Sequence, residues 1–498
     1  MKSRIHLSFF RVFIILSGAF CLLYVMTFNP VTYEAQGDFP SYLELAKQIY
    51  HLPGAGETDL SHRSPLYSLV LGLFILLFGE SHYLHHLMIF HFTLIFLTSI
   101  LIYKIFNLIT GNRIISFIAG IAGVLNLTTI FFGYIMISEI LSLFLFTLMG
   151  LLLIQGYLRE KTLFFSLAGV TAGLLILTRF NTIGIPVVII SGCAIFHFIR
   201  YGFTRIRKLL AEMLVFTIAF LLVINIWSFY NYRDNGIYGL MPKHHTGQRW
   251  AIPATISSDD IVSDEYNDVL AIFLKTKEEL LSKVNNIPAR KGSLLTHKGI
   301  RKINDFFRPQ VSGYFIYRDS EAELMKYYGL EYSPVNIRIL NEKLKPFYKL
   351  IAEQNRKELN RFRIYSFIYS FKHVSPTLPV DNPVSLNVLP SAVLKLYKLL
   401  FIFMTLTTYS ISIIHGLHIF SSKGRIKAGI YWIILYSLIW YFPVANWYAN
   451  VLSDANRFRF PADSVIIGIF VWYCAYLVNL VNQVKSRGNS EKVELGHR

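Results

Sequence analysis

A succession of long apolar runs constrains this chain more than any other feature. They fall at about 7–28, 65–79, 86–108, 114–133, 136–157, 163–178, 182–199, 209–229, 393–419, 427–444 and 462–482. A helix needs roughly 20 apolar residues to cross the hydrocarbon core of a bilayer, and most of these runs approach that length. Apolar residues make up 54% of the 498 and charged residues only 16%, too few charges for a soluble protein of this size. The expectation is an all-α polytopic membrane protein with about 10–11 transmembrane helices. The formal charge of +18 then points to basic cytoplasmic loops and phosphate-bearing lipids, with no nucleic-acid partner expected. Cys21, Cys193 and Cys474 each lie inside an apolar run, which offers neither a disulfide framework nor a zinc site. The first run is too long for a signal-peptide core and is read as a retained anchor.

Orientation follows from the short loops. Arg200, Arg205, Arg207 and Lys208 crowd one connection, and Lys423, Arg425 and Lys427 another. Lys104 and Arg113 flank a third, Arg159 and Lys161 a fourth, and Lys485 and Arg487 begin the tail. Under the positive-inside rule all are cytoplasmic, together with the N-terminus bearing Lys2, Arg4 and Arg11. If 65–79 crossed fully, the connection at Lys104 and Arg113 would fall outside and every later loop would invert. Treating "PLYSLVLGLFILLFG" as an in-plane or re-entrant helix, opened by Pro65, returns every basic loop to the inside.

The chain then divides into an N-terminal membrane module (1–229) that carries a first outer loop (29–85), a large outer-face loop domain (230–392), C-terminal membrane helices (393–483) and a cytoplasmic tail (484–498). Helical periodicity near 263–284 and 334–372 predicts a small, mainly helical outer domain.

Several ionisable residues meet the outer face. Asp38 follows Gly37 and precedes "FPSYLELAKQI"; it could be a helix N-cap, a role Asp often fills. Glu139, in "YIMISEILSLFLF", has no basic neighbour in sequence and needs water, a cation or a cavity; the plain alternative is a turn carboxylate reaching solvent. Arg63, Arg179, Arg233, Arg457 and Arg459 lie at the same face, where a lone arginine is often a headgroup anchor. Taken together, two carboxylates and a set of guanidinium groups suit a phosphate-linked lipid, because the planar fork of arginine grips phosphate oxygens in pairs. Glycosyl transfer from a polyprenyl phosphate needs such a set. A carboxylate takes the acceptor's proton, and cations or a metal stabilise the departing phosphate.

Those stretches resemble the C-type superfamily of membrane glycosyltransferases. The likeness is greatest to the family 39-like branch of dolichyl-phosphate-mannose protein mannosyltransferases and aminoarabinose transferases. "GDFPSYLELAKQI" is similar to that family's acidic motif and would place Asp38 as the catalytic aspartate. "HRSPLYSLVLGLFILLFG" resembles its Lys-Pro-Pro-Leu-Tyr stretch, with Arg63 for the lysine, Ser64 for the first proline, and Pro65, Leu66 and Tyr67 matching. "YIMISEILSLFLF" resembles the second acidic motif, with Glu139 where many relatives have Asp, and "NRFRFPADSVIIGIF" an arginine-bearing entry to a late span.

The resemblance implies an inverting transfer of a single sugar, at the outer face, from a polyprenyl-phosphate carrier to an acceptor hydroxyl or amine. Asp38 and Glu139 are then the candidate catalytic residues. Arg63, Tyr67, Arg179, Arg457 and Arg459 are the candidates for holding the donor's lipid phosphate. No cofactor is required by the motifs; a divalent metal on Asp38 and Glu139 is left open, because metal dependence varies across the superfamily. Expected partners are a lipid-linked sugar donor, an acceptor protein or glycolipid, and membrane lipids. The expected setting is a bacterial inner membrane with the site on its periplasmic face. A transporter or flippase, a polymerase or ligase of lipid-linked saccharides, and a membrane scaffold are the rival readings. Nearly charge-free spans argue against the transporter.

Overall fold

The structure is a computed structural model that describes residues 2–27, 30, 38–55, 63–202, 206–240, 247–285, 313–371, 391–421, 426–449 and 459–495. Among these residues there are helices and no strand. In order they are α1 (Lys2–Thr27), α2 (Phe39–Tyr50), α3 (Pro65–Thr110), α4 (Arg113–Leu125), α5 (Leu127–Tyr134), α6 (Glu139–Arg159), α7 (Thr162–Thr178), α8 (Ile185–Tyr201) and α9 (Ile206–Asn235). There follow α10 (Gly247–Thr255), α11 (Asn267–Asn285), α12 (Gly313–Tyr327), α13 (Pro334–Gln354), α14 (Arg356–Tyr369), α15 (Ser391–Ser421), α16 (Ile426–Ala449) and α17 (Asp463–Leu495).

Eight helical segments among the described residues are long and apolar enough to cross a membrane, and the pair α4–α5, bent by 45°, makes a ninth. The apolar α7 is shorter, at 17 residues, yet it packs between α6 and α9 within the bundle. Taking it as a span gives ten crossings, which is the parity that gathers the basic loops on one side.

The 46 residues of α3 are the element that decides this count. A straight helix of that length would extend about 69 Å, more than twice the hydrocarbon thickness. The chain breaks instead at Gly79, whose φ of 73° and ψ of 165° lie outside the helical region and are open to glycine at no steric cost. The arm before the break folds back on the helix after it. The Phe78 and His86 rings stack at 3.8 Å, Phe74 meets Phe90 at 5.4 Å, and Tyr67 hydrogen-bonds with His91. The runs at 65–79 and 86–108 are therefore two limbs of one elbow.

Close approach of helices rests on small residues. On α7, Gly169 and Gly173 stand four apart and face α9; a Cβ on Gly169 would lie 2.2 Å from the Phe216 carbonyl oxygen. Such spacing lets two backbones pack by van der Waals contact inside lipid, where the hydrophobic effect gives no drive. Gly72 does the same for α2 against the arm of α3: a Cβ there would meet the Tyr50 ring at 2.2 Å.

Between α9 and α15 the chain forms a second, separate core of Phe273, Ile316, Leu324, Leu340, Phe347 and Ile351. Helices α11, α13 and α14 stand where the periodicity predicts them. This small helical domain is joined to the bundle through α14, which packs on α16. Asn446 donates to the Ser370 hydroxyl at 2.9 Å, and Arg459 donates to the Ser370 carbonyl at 2.7 Å.

Candidate functional site

Helix α2 buries Phe39, Tyr42, Leu45 and Ala46 on one face, the spacing expected of an amphipathic helix. Pro40 stands in its first turn, where a missing N–H leaves no bond unmade. Asp38 occupies the N-cap position, and its carbonyl receives the Tyr42 N–H at 3.1 Å. Its carboxylate makes no capping bond. The capping role that the sequence left open is thus not the one taken: Arg63 Nη1 donates to Asp38 Oδ1 at 2.8 Å, and Nη2 reaches the Ser41 hydroxyl at 3.3 Å. The guanidinium also sits over the Tyr42 ring, 5.9 Å from its centroid. The two charged side chains remain 24% and 26% exposed, so the pair is partly open to solvent.

A second pair lies beneath. Glu139 opens α6 and is fully buried, and Arg179, at the end of α7, is 6% exposed; Nη1 and Oε1 are 2.7 Å apart. The residue without a basic neighbour in sequence thus has its cation from another helix. Breaking such a buried pair on one side strands a charge, at a cost of about 3–5 kcal/mol.

Two neutral hydrogen bonds connect these pairs. The Tyr42 and Ser138 hydroxyls share one at 3.1 Å, and the Phe180 N–H donates to the Ser64 hydroxyl at 3.3 Å. Because Ser64 follows Arg63, Phe180 follows Arg179 and Ser138 precedes Glu139, the contacts close into a ring. It joins the start of α2, the start of α3, the α5–α6 turn and the α7–α8 turn. Burial pushes the Tyr42 phenol up, aided by the Asp38 and Glu139 carboxylates and opposed by Arg63 and Arg179. Both ion pairs therefore act on that one side chain.

Tyr67 is fully buried, edge-on to Tyr42 with ring centroids 5.2 Å apart. Its hydroxyl is 3.2 Å from His91 Nε2, while His91 Nδ1 faces the Gly133 carbonyl at 3.1 Å. A carbonyl only accepts, so the neutral imidazole carries its proton on Nδ1 and the Tyr67 O–H donates to Nε2. That commits the phenol proton inside the protein rather than toward a phosphate.

Arg459 stands apart from the ring. It is fully buried, donates from Nε to Asp463 at 2.9 Å and from Nη1 to Ser370, and lies over Phe401. This places it at the joint between the helical domain and the bundle. Arg457 lies outside the described residues.

Among the described residues no group of three or more His, Cys, Asp or Glu side chains could hold a metal ion. Asp38 and Glu139 each already face a guanidinium at 2.7–2.8 Å. Among the described residues, neither carboxylate therefore stands with the further acidic, imidazole or thiolate ligands that would complete a metal site.

Tyr42, Ser64, Ser138, His91 and Asp463 were not singled out as site residues from the sequence. Tyr42 was the most accessible of them, four residues after Asp38 on the same helical face. The others are joined by contacts between distant segments, which a single sequence does not disclose.

No protein-family model matches this chain, and no curated protein sequence matches it significantly. Among solved structures, it is similar to the archaeal oligosaccharyltransferase AglB from Archaeoglobus fulgidus, in complex with an inhibitory peptide and a dolichol-phosphate. The TM-score is 0.50 at 14% identity, over 98% of this chain and 52% of that one. The chain thus spans about half the length of that protein. It is also similar to ArnT from Cupriavidus metallidurans bound to undecaprenyl phosphate, with a TM-score of 0.37 at 12% identity, over 90% of this chain and 78% of that one. The likeness to AglB is one of fold: the chain shares the multispanning helical architecture of that structure.

Proposed function

We propose that this protein is a glycosyltransferase that moves a single sugar, with inversion, from a polyprenyl-phosphate carrier to an acceptor hydroxyl or amine at the outer membrane face. The observation that carries this reading is the Asp38 carboxylate. It is partly exposed and held by Arg63 at the meeting point of four chain segments, in a chain with the fold of AglB. That the AglB structure contains a dolichol-phosphate supports a lipid-phosphate carrier for this chain as well.

In this mechanism the acceptor oxygen or nitrogen attacks the anomeric carbon as the bond from that carbon to the phosphate oxygen breaks. The acceptor's proton passes to Asp38, and the bonding electron pair leaves on the phosphate. Direct displacement sets base and leaving group on opposite sides of the sugar carbon. Arg63, in contact with the base, therefore serves to orient Asp38 and keep it charged, while the phosphate falls to another cation. Arg457, in the segment before α17, is the candidate that the sequence offers. Glu139 and Arg179 act from beneath as a brace, since their charges neutralise each other out of solvent. We place the site on the periplasmic face of a bacterial inner membrane, with a protein or glycolipid as acceptor.

The test is transfer by the purified protein in lipid, with a synthetic polyprenyl-phosphate sugar as donor. Asp38→Asn should lower kcat by about 10²- to 10⁴-fold, the usual worth of a general base, while donor binding persists. Full activity in that variant would sink the proposal. Arg63→Ala should lower kcat more than it raises the donor KM; the reverse would return Arg63 to the phosphate.

A further inference from the structure

The end of the helical domain reaches into the bundle. The Phe371 ring lies 4.9 Å from that of Tyr409, and Tyr409 stands midway along the span Leu396–Ser421, where its hydroxyl donates to the Ile439 carbonyl. Helix α14 ends two residues before Phe371, and Ser370 between them is held by Asn446 and Arg459, so the helix's last turn stands beside the ends of the spans Gly429–Asn446 and Phe460–Gln483.

The free face of that helix changes character in the same direction. Lys357, Asn360, Ile364 and Ile368 succeed one another at spacings of three and four and are all exposed, Ile364 by 48% and Ile368 by 57%. The opposite face, with Leu359, Phe362 and Tyr365, is buried in the domain. Arg361, partly exposed on the same side and 3.7 Å from Glu358, belongs to the polar half, so the stripe changes from two cations and an amide to two isoleucines toward the end tied to the bundle. From Lys357 to Ile368 the helix rises about 16 Å, enough to pass from the headgroup layer into the acyl chains.

We propose that the C-terminal half of α14 is inserted in the leaflet on the site's side. Ile364 and Ile368 lie against acyl chains, and Arg356 and Lys357 stand at the level of the headgroup phosphates, as amphipathic interfacial helices arrange such residues. The lipid surface, through α14, then sets the height of the domain above the ring of Asp38 and Glu139.

Nitroxide labels on cysteines placed at Lys357, Ile364 and Ile368, in a background with Cys474→Ser to remove the one exposed native thiol, test this. The full-length protein is reconstituted in phosphatidylcholine–phosphatidylglycerol vesicles, and collision with oxygen is compared with collision with a water-soluble nickel chelate. The expected result is an oxygen-to-chelate ratio several-fold higher at 364 and 368 than at 357. Equal access of the chelate to all three positions, as in a water-filled vestibule, would overturn the proposal.

Discussion

Glu139 and Arg179 illustrate how far a single residue can be understood from its neighbours in sequence. An acid between two apolar runs demanded a partner, and that demand could be read directly. Which partner could not, because the two lie 40 positions apart and meet only through the pairing of α6 with α7. Asp38 shows the converse. Its position before a helix made capping the plain reading, yet its carboxylate turns to Arg63 instead. The buried pair makes a definite prediction. Glu139→Gln or Arg179→Met alone should destabilise the protein by about 3–5 kcal/mol, since each leaves one charge unpaired out of water. The double variant Glu139→Gln/Arg179→Met should recover much of that loss. Thermal melting of the three variants in detergent, compared with the parent, measures the coupling; additive losses would remove the brace from the mechanism.

At the scale of elements, most helices stand where apolar runs or periodicity placed them, because a span must be apolar along its length whatever it packs against. Helix contacts depend on individual small residues that hydropathy does not reveal. Gly169 and Gly173 are such residues, since even a methyl group at Gly169 would sit 2.2 Å from a backbone oxygen that cannot rotate away. Gly169→Ala should therefore force α7 and α9 apart and cost about 1–3 kcal/mol as overpacking. Because α7 ends at Arg179, transfer activity should fall with it. Gly123→Ala is the matched control, for its nearest neighbour is an Ile102 methyl group at 3.4 Å. If both variants melt together with the parent, the α7–α9 interface is looser than the packing implies.

For the whole molecule, the elbow at Gly79 decides on which side of the membrane everything after it stands. The polar residues past the break, Glu80, Ser81, His82 and His85, are exposed, and a buried bilayer position would be costly for them. The arm before it has 14 residues, about 21 Å of helix, short of the hydrocarbon thickness. Both facts hold the elbow at the surface that bears Asp38, with the ion pair of Lys208 and Glu160 at the opposite surface. Ser81→Cys and Lys161→Cys, each in the Cys474→Ser background, separate this topology from one in which the arm crosses. A membrane-impermeant maleimide applied to intact cells should label position 81 and should reach position 161 only after permeabilisation. The crossing arm would put residue 81 inside and invert the sidedness of every later loop, so that residue 161 would be labelled first.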